Sequence, residues 1–123
     1  MPKKIIFTIV ALILFSCTNF IYKTKIVNID GENIEIVLST DNEPVWGLYM
    51  NITGKITGEI QLEVERCDSD FTYIYNYADN VNFNHSSFED KPADYYSNKV
   101  IIRIYPKDNS KGKLKIKYYF GTL

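Results

Sequence analysis

The sequence predicts an all-β protein, an antiparallel β-sandwich of about seven strands in a single small domain. Apolar and polar residues alternate with a period of two from about residue 23 to the end, and helical spacing is hard to find. Turn-forming residues recur at hairpin-length intervals between these alternating runs. The chain has 123 residues, which suffices for one hydrophobic core but not for two.

Two short alternating runs come first, Lys25–Ile29 and Asn33–Leu38. Asp30-Gly31 lies between them, and an Asp-Gly pair favours a tight β-hairpin because such turns need positive φ angles. We therefore expect these two runs to pair as the first hairpin.

The middle of the chain predicts two further strands, Val45–Thr53 and Ile56–Val64, with Gly54-Lys55 between them as a tight turn or bulge. Alternation in the first of these runs places four apolar residues on one face, which we expect to join the core: Trp46, Leu48, Met50 and Ile52.

An aromatic strand is predicted over Phe71–Tyr77, because aromatic residues favour strands and alternate here with other residues. Asp79–Asn98 follows as the longest irregular stretch, rich in Asn, Ser and Asp, with a short strand at Val81–Phe83. The last two strands are Val100–Tyr105 and Leu114–Phe120, joined by the turn Pro106–Gly112.

The N-terminus has the pattern of an export signal. Lys3 and Lys4 precede the apolar run Ile5–Phe15, whose 11 residues would span only about 17 Å as a helix, against about 30 Å for a bilayer core. Small Ser16 then precedes Cys17, as at a signal-peptide cleavage point.

Leu14-Phe15-Ser16-Cys17 resembles the lipobox of bacterial lipoproteins. The resemblance implies a signal peptide over residues 1–16 and lipidation of Cys17, with a short tether over residues 17–22 and the β domain over residues 23–123. An ordinary secretory signal with a chance cysteine is the alternative. Thr18 rather than Asp follows the cysteine, which implies the periplasmic face of an outer membrane. In an organism with a single membrane, the same domain would lie on the cell surface.

Charge and cysteine content narrow the function classes. Cleavage would remove Lys3 and Lys4 from the 14 basic residues, leaving 12 basic and 15 acidic residues. The resulting net charge of −3 gives no reason to expect a nucleic-acid partner. Lipidation of Cys17 would leave Cys67 without a disulfide partner, and carboxylates on both sides of Cys67 argue against a reactive thiolate.

We predict no enzymatic activity, no metal and no cofactor. The one histidine, His85, precedes two serines without the nucleophile-elbow pattern of hydrolases. Six acidic residues lack the spacing of an EF-hand and are expected to be solvated loop charges: Asp68, Asp70, Asp79, Glu89, Asp90 and Asp94.

Two groups of side chains are candidate contact surfaces. Exposed tyrosines make good interface anchors and stack on sugars, so a protein or envelope glycan partner is expected at Tyr95, Tyr96, Tyr105 and Tyr119. Lysines at the C-terminal hairpin could contact an anionic lipid or lipopolysaccharide surface, or could instead protect an edge strand from aggregation. They are Lys107 and Lys111 together with Lys113, Lys115 and Lys117, the last three being the expected contacts.

These observations together predict a membrane-anchored, non-enzymatic binding module of the cell envelope. Two alternatives stay open. One is an inhibitor or immunity-type lipoprotein that blocks a lysozyme or toxin with the Asp79–Asn98 loop. The other is a structural component of an envelope or secretion assembly.

Overall fold

The computed structural model describes residues 22–86 and 95–122, and these residues form one antiparallel sheet without helices. The all-β, antiparallel prediction is therefore confirmed. Within the described ranges nothing forms a helix that could cross a membrane. The predicted signal peptide and Cys17 lie outside the described residues. The strands are β1 (Lys23–Asp30), β2 (Ile34–Ser39), β3 (Val45–Arg66), β4 (Thr72–Ser86) and β5 (Lys99–Thr122).

The prediction of about seven strands is wrong, because five strands, three of them long, account for the described sheet. β3 continues through Gly54-Lys55, where a tight turn or bulge was expected, and β5 continues through Pro106–Gly112, where a turn was expected. β4 likewise extends to Ser86, so the predicted short strand at Val81–Phe83 is confirmed but belongs to a longer strand that also includes residues assigned to the irregular stretch. The turn-forming residues between Lys107 and Lys111 lie inside β5 because the register with β3 shifts there, so the strand bends while its pairing continues on both sides.

β5 lies at the centre of the sheet although it is the last described strand in the chain. The strand order is β1-β5-β3-β4, and β2 pairs with another part of β5. The predicted pairing of the first two strands with each other is wrong: β1 pairs with residues 111–118 of β5, whereas β2 pairs with residues 99–104. Gly31 has the expected positive φ of 75°, but its N–H donates to the carbonyl oxygen of Ser110 (3.0 Å).

All three long strands bend at one level, which we call the corner. Gly58 has a φ of 86°, and a Cβ atom there would lie 2.5 Å from the Ser110 Oγ. Asp79 of β4 and Asp108 of β5 also have positive φ angles. Buried Ser110 bridges the strands, since its Oγ accepts the N–H of Glu59 (3.0 Å) and donates to that residue's carbonyl oxygen (2.8 Å).

The corner divides the sheet into two half-sheets. Tyr73 shows the sharpness of the bend, because its ring lies 5.8 Å from Phe83 and 5.9 Å from His85, residues ten and twelve positions further along β4. A straight strand would separate Tyr73 from Phe83 by about 33 Å. The first half-sheet consists of β1 with residues 45–57, 80–86 and 111–122, and the second of β2 with residues 59–66, 72–78 and 99–107.

One hydrophobic core collects side chains from both half-sheets. Its fully buried members include Ile52 and Ile116 from the first half-sheet, and Ile60 and Ile102 from the second. The predicted core face of β3 is confirmed for Leu48, Met50 and Ile52.

Trp46 was expected on that core face but is 42% exposed. A register shift between Val45 and Gly47 explains the difference, because the bulge inserts one residue and reverses the alternation before Leu48.

Candidate functional site

The four tyrosines proposed as one binding surface lie in different surroundings. Tyr95 is fully buried, so it is not the exposed anchor that the sequence predicted, whereas Tyr96 is 65% exposed. Tyr105 pairs with Gln61 on the second half-sheet, and Tyr119 pairs with Tyr49 on the first. The structure therefore does not bring these tyrosines together as one surface.

The buried hydroxyl group of Tyr95 connects its own segment to the start of β5 and to the turn after β3. The hydroxyl donates to the carbonyl oxygen of Lys99 and accepts the N–H of Cys67 (3.2 Å). Its ring contacts the guanidinium group of Arg66, whose Cζ lies 5.3 Å from the ring centroid. Burial raises the pKa of Tyr95, so the phenol remains protonated and able to donate.

Arg66 and Asp68 form a two-bond ion pair beside Tyr95. Arg66 Nε and Nη2 donate to the two Asp68 carboxylate oxygens at 2.9 and 2.8 Å, and the N–H of Tyr96 donates to the same carboxylate (3.1 Å). Burial by itself raises the pKa of Asp68, but these hydrogen bonds outweigh it and the net pKa is lowered. The pair thus fastens residues 95–96 to the turn after β3.

His85 and Cys67 lie beside this cluster, and neither is in an environment that would activate it for catalysis. His85 is buried, and its Nδ1 lies 3.2 Å from the carbonyl oxygen of Leu48, a distance that fits a neutral Nδ1–H donor. Burial lowers the pKa of His85. Burial also raises the pKa of Cys67, and the nearby carboxylates of Glu65 and Asp68 raise it further. A raised thiol pKa leaves little thiolate near neutral pH, so the structure gives Cys67 no activation.

The outer surface of the first half-sheet carries a different kind of surface, which we call the basic face. Alternating residues of β5 place Lys113, Lys115 and Lys117 outward, and Lys55 of β3 lies directly opposite Lys113. None of these lysines forms an ion pair with a described carboxylate. Their paired neighbours on the same face are uncharged: Thr24, Ile26, Asn28, Asn51, Thr53, Asn80, Asn82 and Asn84.

Three aromatic rings stand at one end of the basic face, and we call them the tyrosine cluster. The rings of Tyr49 and Tyr119 stack with centroids 5.5 Å apart, and Tyr22 meets them edge-on at 5.3 and 4.8 Å. Lys117 Nζ lies 4.2 Å from the Tyr22 ring centroid. Only Tyr119 was identified from the sequence, because Tyr22 and Tyr49 join it through strand pairing between distant parts of the chain.

Protection of an edge strand was one explanation of these lysines, and the sheet order overturns it. β5 has partners on both sides, β3 on one and β1 or β2 on the other, so Lys113, Lys115 and Lys117 lie on a central strand. The lysines are thus left as a surface feature of the first half-sheet.

The outer surface of the second half-sheet has the opposite character, and we call it the acidic face. Arg103 contacts Glu35 (3.2 Å) and Glu65 (3.5 Å), while Lys107 Nζ lies 3.8 Å from Glu59. Glu63, which pairs with Arg103 across the strands, is a fourth carboxylate on this surface. Arg103 and Lys107 therefore have carboxylate partners, unlike the four lysines of the basic face. On the first half-sheet, Lys111 next to the corner pairs with Asp30 (3.9 Å).

Metal ligation has no support among the described residues, where no group of three or more His, Cys, Asp or Glu side chains converges. Asp68 is engaged by Arg66, and Asp79 stands at the corner. Glu89, Asp90 and Asp94 lie outside the described residues.

The basic face can bind anionic or hydroxyl-bearing groups through ammonium, amide and phenol groups.

Comparison with known proteins gives no functional assignment. No family model matches the chain. No curated protein matches it either. Among solved structures, a de novo designed double-stranded β-helix is similar at 13% identity and a TM-score of 0.37, over 79% of this chain and 99% of that one.

Two natural structures are similar to a comparable degree. The Drosophila NLP core, described for pentamer formation and histone binding, matches at 11% identity and a TM-score of 0.42, over 84% of this chain and 100% of its own. A structure of infectious bursal disease virus, Gx strain, matches at 7% identity and a TM-score of 0.38, over 78% of this chain and 32% of the viral one. These TM-scores are too low to carry a functional argument.

Proposed function

We propose that the chain is a lipid-anchored, non-enzymatic binding module of the bacterial cell envelope, and that its basic face contacts an anionic envelope component. One observation carries the proposal. The outward side chains that lie level with Thr24, Ile26 and Asn28 across the first half-sheet include four lysines and no carboxylate, and the tyrosine cluster lies at one end of them. Ammonium groups without carboxylate partners favour an anionic ligand, and adjacent aromatic rings add stacking surface.

Anchoring rests on the lipobox-like sequence Leu14-Phe15-Ser16-Cys17. Residues 1–16 would be removed as a signal peptide, and residues 17–22 would then connect the lipid to the domain. Tyr22 belongs to the tyrosine cluster, and the five residues from Cys17 reach at most about 18 Å. The anchor would therefore hold the basic face close to the membrane, at the periplasmic face of an outer membrane.

The architecture that we propose for this module is a β-sandwich made by folding one sheet at the corner. The single core shared by both half-sheets and the contacts of Tyr73 with Phe83 and His85 support it. Each half-sheet would then turn one face to the core and the other to solvent.

Binding rather than catalysis is proposed because the groups with reactive potential have structural roles. Asp68 is held by Arg66, and His85 lies buried against the Leu48 carbonyl group. The inhibitor or immunity alternative relied on the Asp79–Asn98 loop, and it loses support because residues 79–86 belong to β4. The assembly-component alternative has no feature of its own in its favour.

Metabolic labelling with an alkyne analogue of palmitate, followed by membrane fractionation, tests the anchor. We expect the wild-type chain to incorporate the label and to sediment with membranes, and Cys17→Ser to lose both properties. Cys67→Ser is the matched control because it removes the other cysteine and should keep both. Equal labelling of wild-type and Cys17→Ser protein would refute the anchor.

A further inference from the structure

We propose that the anionic component is the phospholipid surface of the membrane itself, with the basic face lying flat against the headgroups. The inference rests on the proposed function and names its ligand. The layout of the lysines, the position of the tyrosine cluster and the contrast between the two outer faces support it.

The lysines form a flat array rather than a pocket. Lys113, Lys115 and Lys117 repeat at every second residue of β5, about 7 Å apart, and Lys55 stands on the adjacent strand about 5 Å away. A ligand with one phosphate group would favour convergent donors or a bidentate arginine, but the described arginines, Arg66 and Arg103, are both occupied elsewhere. Separate ammonium groups on a plane match a plane of separate phosphate groups.

The tyrosine cluster stands where an interfacial aromatic group is expected. Tyrosine is enriched at membrane–water boundaries because its ring is apolar and its hydroxyl group can remain hydrated. Tyr22 is also the first described residue, and Cys17, the proposed lipidation site, precedes it by five positions. The end of the face that carries the aromatic rings is thus the end at which the chain leads to the membrane.

The acidic face fixes which side of the domain turns away. Glu35, Glu59, Glu63 and Glu65 lie on the outer surface of the second half-sheet, together with Arg103 and Lys107. An anionic bilayer attracts the basic face and repels these carboxylates, so the domain has one favoured orientation.

Vesicle flotation tests the inference with a soluble form beginning at Thr18, which retains every described residue and strand contact. Vesicles of phosphatidylcholine alone are compared with vesicles that also contain phosphatidylglycerol, at increasing salt. Lys113→Gln/Lys115→Gln removes two charges from the basic face. Lys99→Gln/Lys107→Gln removes two charges from the second half-sheet and is the matched control, and circular dichroism confirms that both variants fold.

We expect binding to the phosphatidylglycerol vesicles only, with affinity falling as salt rises. Lys113→Gln/Lys115→Gln should lower the partition coefficient about 25-fold, because each lysine near an anionic surface contributes about 1 kcal/mol, or about fivefold. The control pair should change it by no more than about twofold, since charges beyond a Debye length from the surface are screened.

Three outcomes would overturn the inference: no binding, equal binding to both kinds of vesicle, or equal losses in the two double variants. Labelling at Cys17 is measured separately, so failure of the anchor and failure of the lipid contact are distinguishable. A labelled, membrane-bound protein whose soluble form ignores phosphatidylglycerol would retain the anchored module and remove phospholipid as its ligand.

Discussion

His85 is a buried side chain whose surroundings oppose its ionisation. It is buried, and its Nε2 has no hydrogen-bond partner among the described residues. Burial lowers its pKa from 6.5, an effect to which the nearby Arg66 adds, while the Leu48 carbonyl group and Asp68 partly oppose it. Below about pH 6.5 the unfolded chain therefore binds a proton that the folded protein does not.

We expect the free energy of unfolding to decrease as the pH falls from about 7 to about 5, with a slope of up to about 1.4 kcal/mol per pH unit. His85→Asn, which retains a short donor toward Leu48, should remove this slope. The measurement is urea unfolding at several pH values, followed through the fluorescence of Trp46, the only tryptophan.

Asp68→Asn serves as the control for that experiment. The Asp68 pKa is lowered from 3.8, so its contribution to stability is lost only in more acidic solution. The variant should thus be less stable near neutral pH but should keep the slope between about pH 7 and about pH 5. A slope that persists in His85→Asn would show that another group titrates.

The corner is the element-scale feature on which the fold depends, because β3, β4 and β5 all pass through it. Gly58 meets two requirements there: its φ of 86° suits glycine, and a Cβ atom would overlap the Ser110 Oγ at 2.5 Å. Gly31 meets only the first, since its φ is 75° but the nearest atom to an added Cβ is 3.9 Å away.

We expect Gly31→Ala to lower the free energy of unfolding by about 1 kcal/mol, the strain of a left-handed backbone. Gly58→Ala should lower it by at least about 3 kcal/mol, because displacement of Ser110 also disturbs its hydrogen bonds to Glu59. Denaturant unfolding of both variants measures the difference. Equal losses would mean that the Ser110 contact contributes nothing.

Comparison of elements shows which parts of the structure local sequence could predict. Period-two alternation correctly placed Lys113, Lys115 and Lys117 on the outer face of β5, and Leu114 and Ile116 on its core face. It succeeded because alternation within a strand is a local property. It failed at Trp46, where a one-residue bulge reverses the faces. Pro106–Gly112 predicted a turn and Gly54-Lys55 a turn or bulge, because the same residue types serve both.

The candidate site was only partly predictable for a related reason. Tyr49 reaches Tyr119 through the pairing of β3 with β5, and Tyr22 joins them from before β1. That register depends on bulges at Val45/Gly47 and at Thr57/Glu59, which alternation does not reveal. Burial of Tyr95 likewise depends on Arg66 and Cys67, which are 29 and 28 positions earlier in the chain.

At the scale of the whole molecule, the two outer faces differ in their electrostatic balance. Lys55 and Lys113 are like charges directly opposite each other on the basic face, whereas Lys107 has Glu59 as a partner on the acidic face. Like-charged cross-strand pairs destabilise a sheet by a few tenths of a kcal/mol to about 1 kcal/mol. Repulsion on the basic face thus lowers the free energy of unfolding, and a binding role would explain why the sequence has these lysines despite that loss.

We expect Lys55→Gln to raise the free energy of unfolding by about 0.5 kcal/mol at low ionic strength, with the gain shrinking as salt is added. Lys107→Gln should have the opposite sign and lower it slightly, because it removes an exposed ion pair. Thermal unfolding at low and high salt measures both variants. A loss of stability in Lys55→Gln would contradict repulsion on the basic face.

The central position of β5 has a consequence for how the protein is made. Synthesis proceeds from the N-terminus, and among the described strands only β3 and β4 have each other as partners before β5 emerges. β1 and β2 pair with β5 alone, so the nascent chain keeps them unpaired until its last described strand is complete. A chain whose sheet cannot close before β5 is complete would stay extended enough for a narrow channel, as the export that we propose requires.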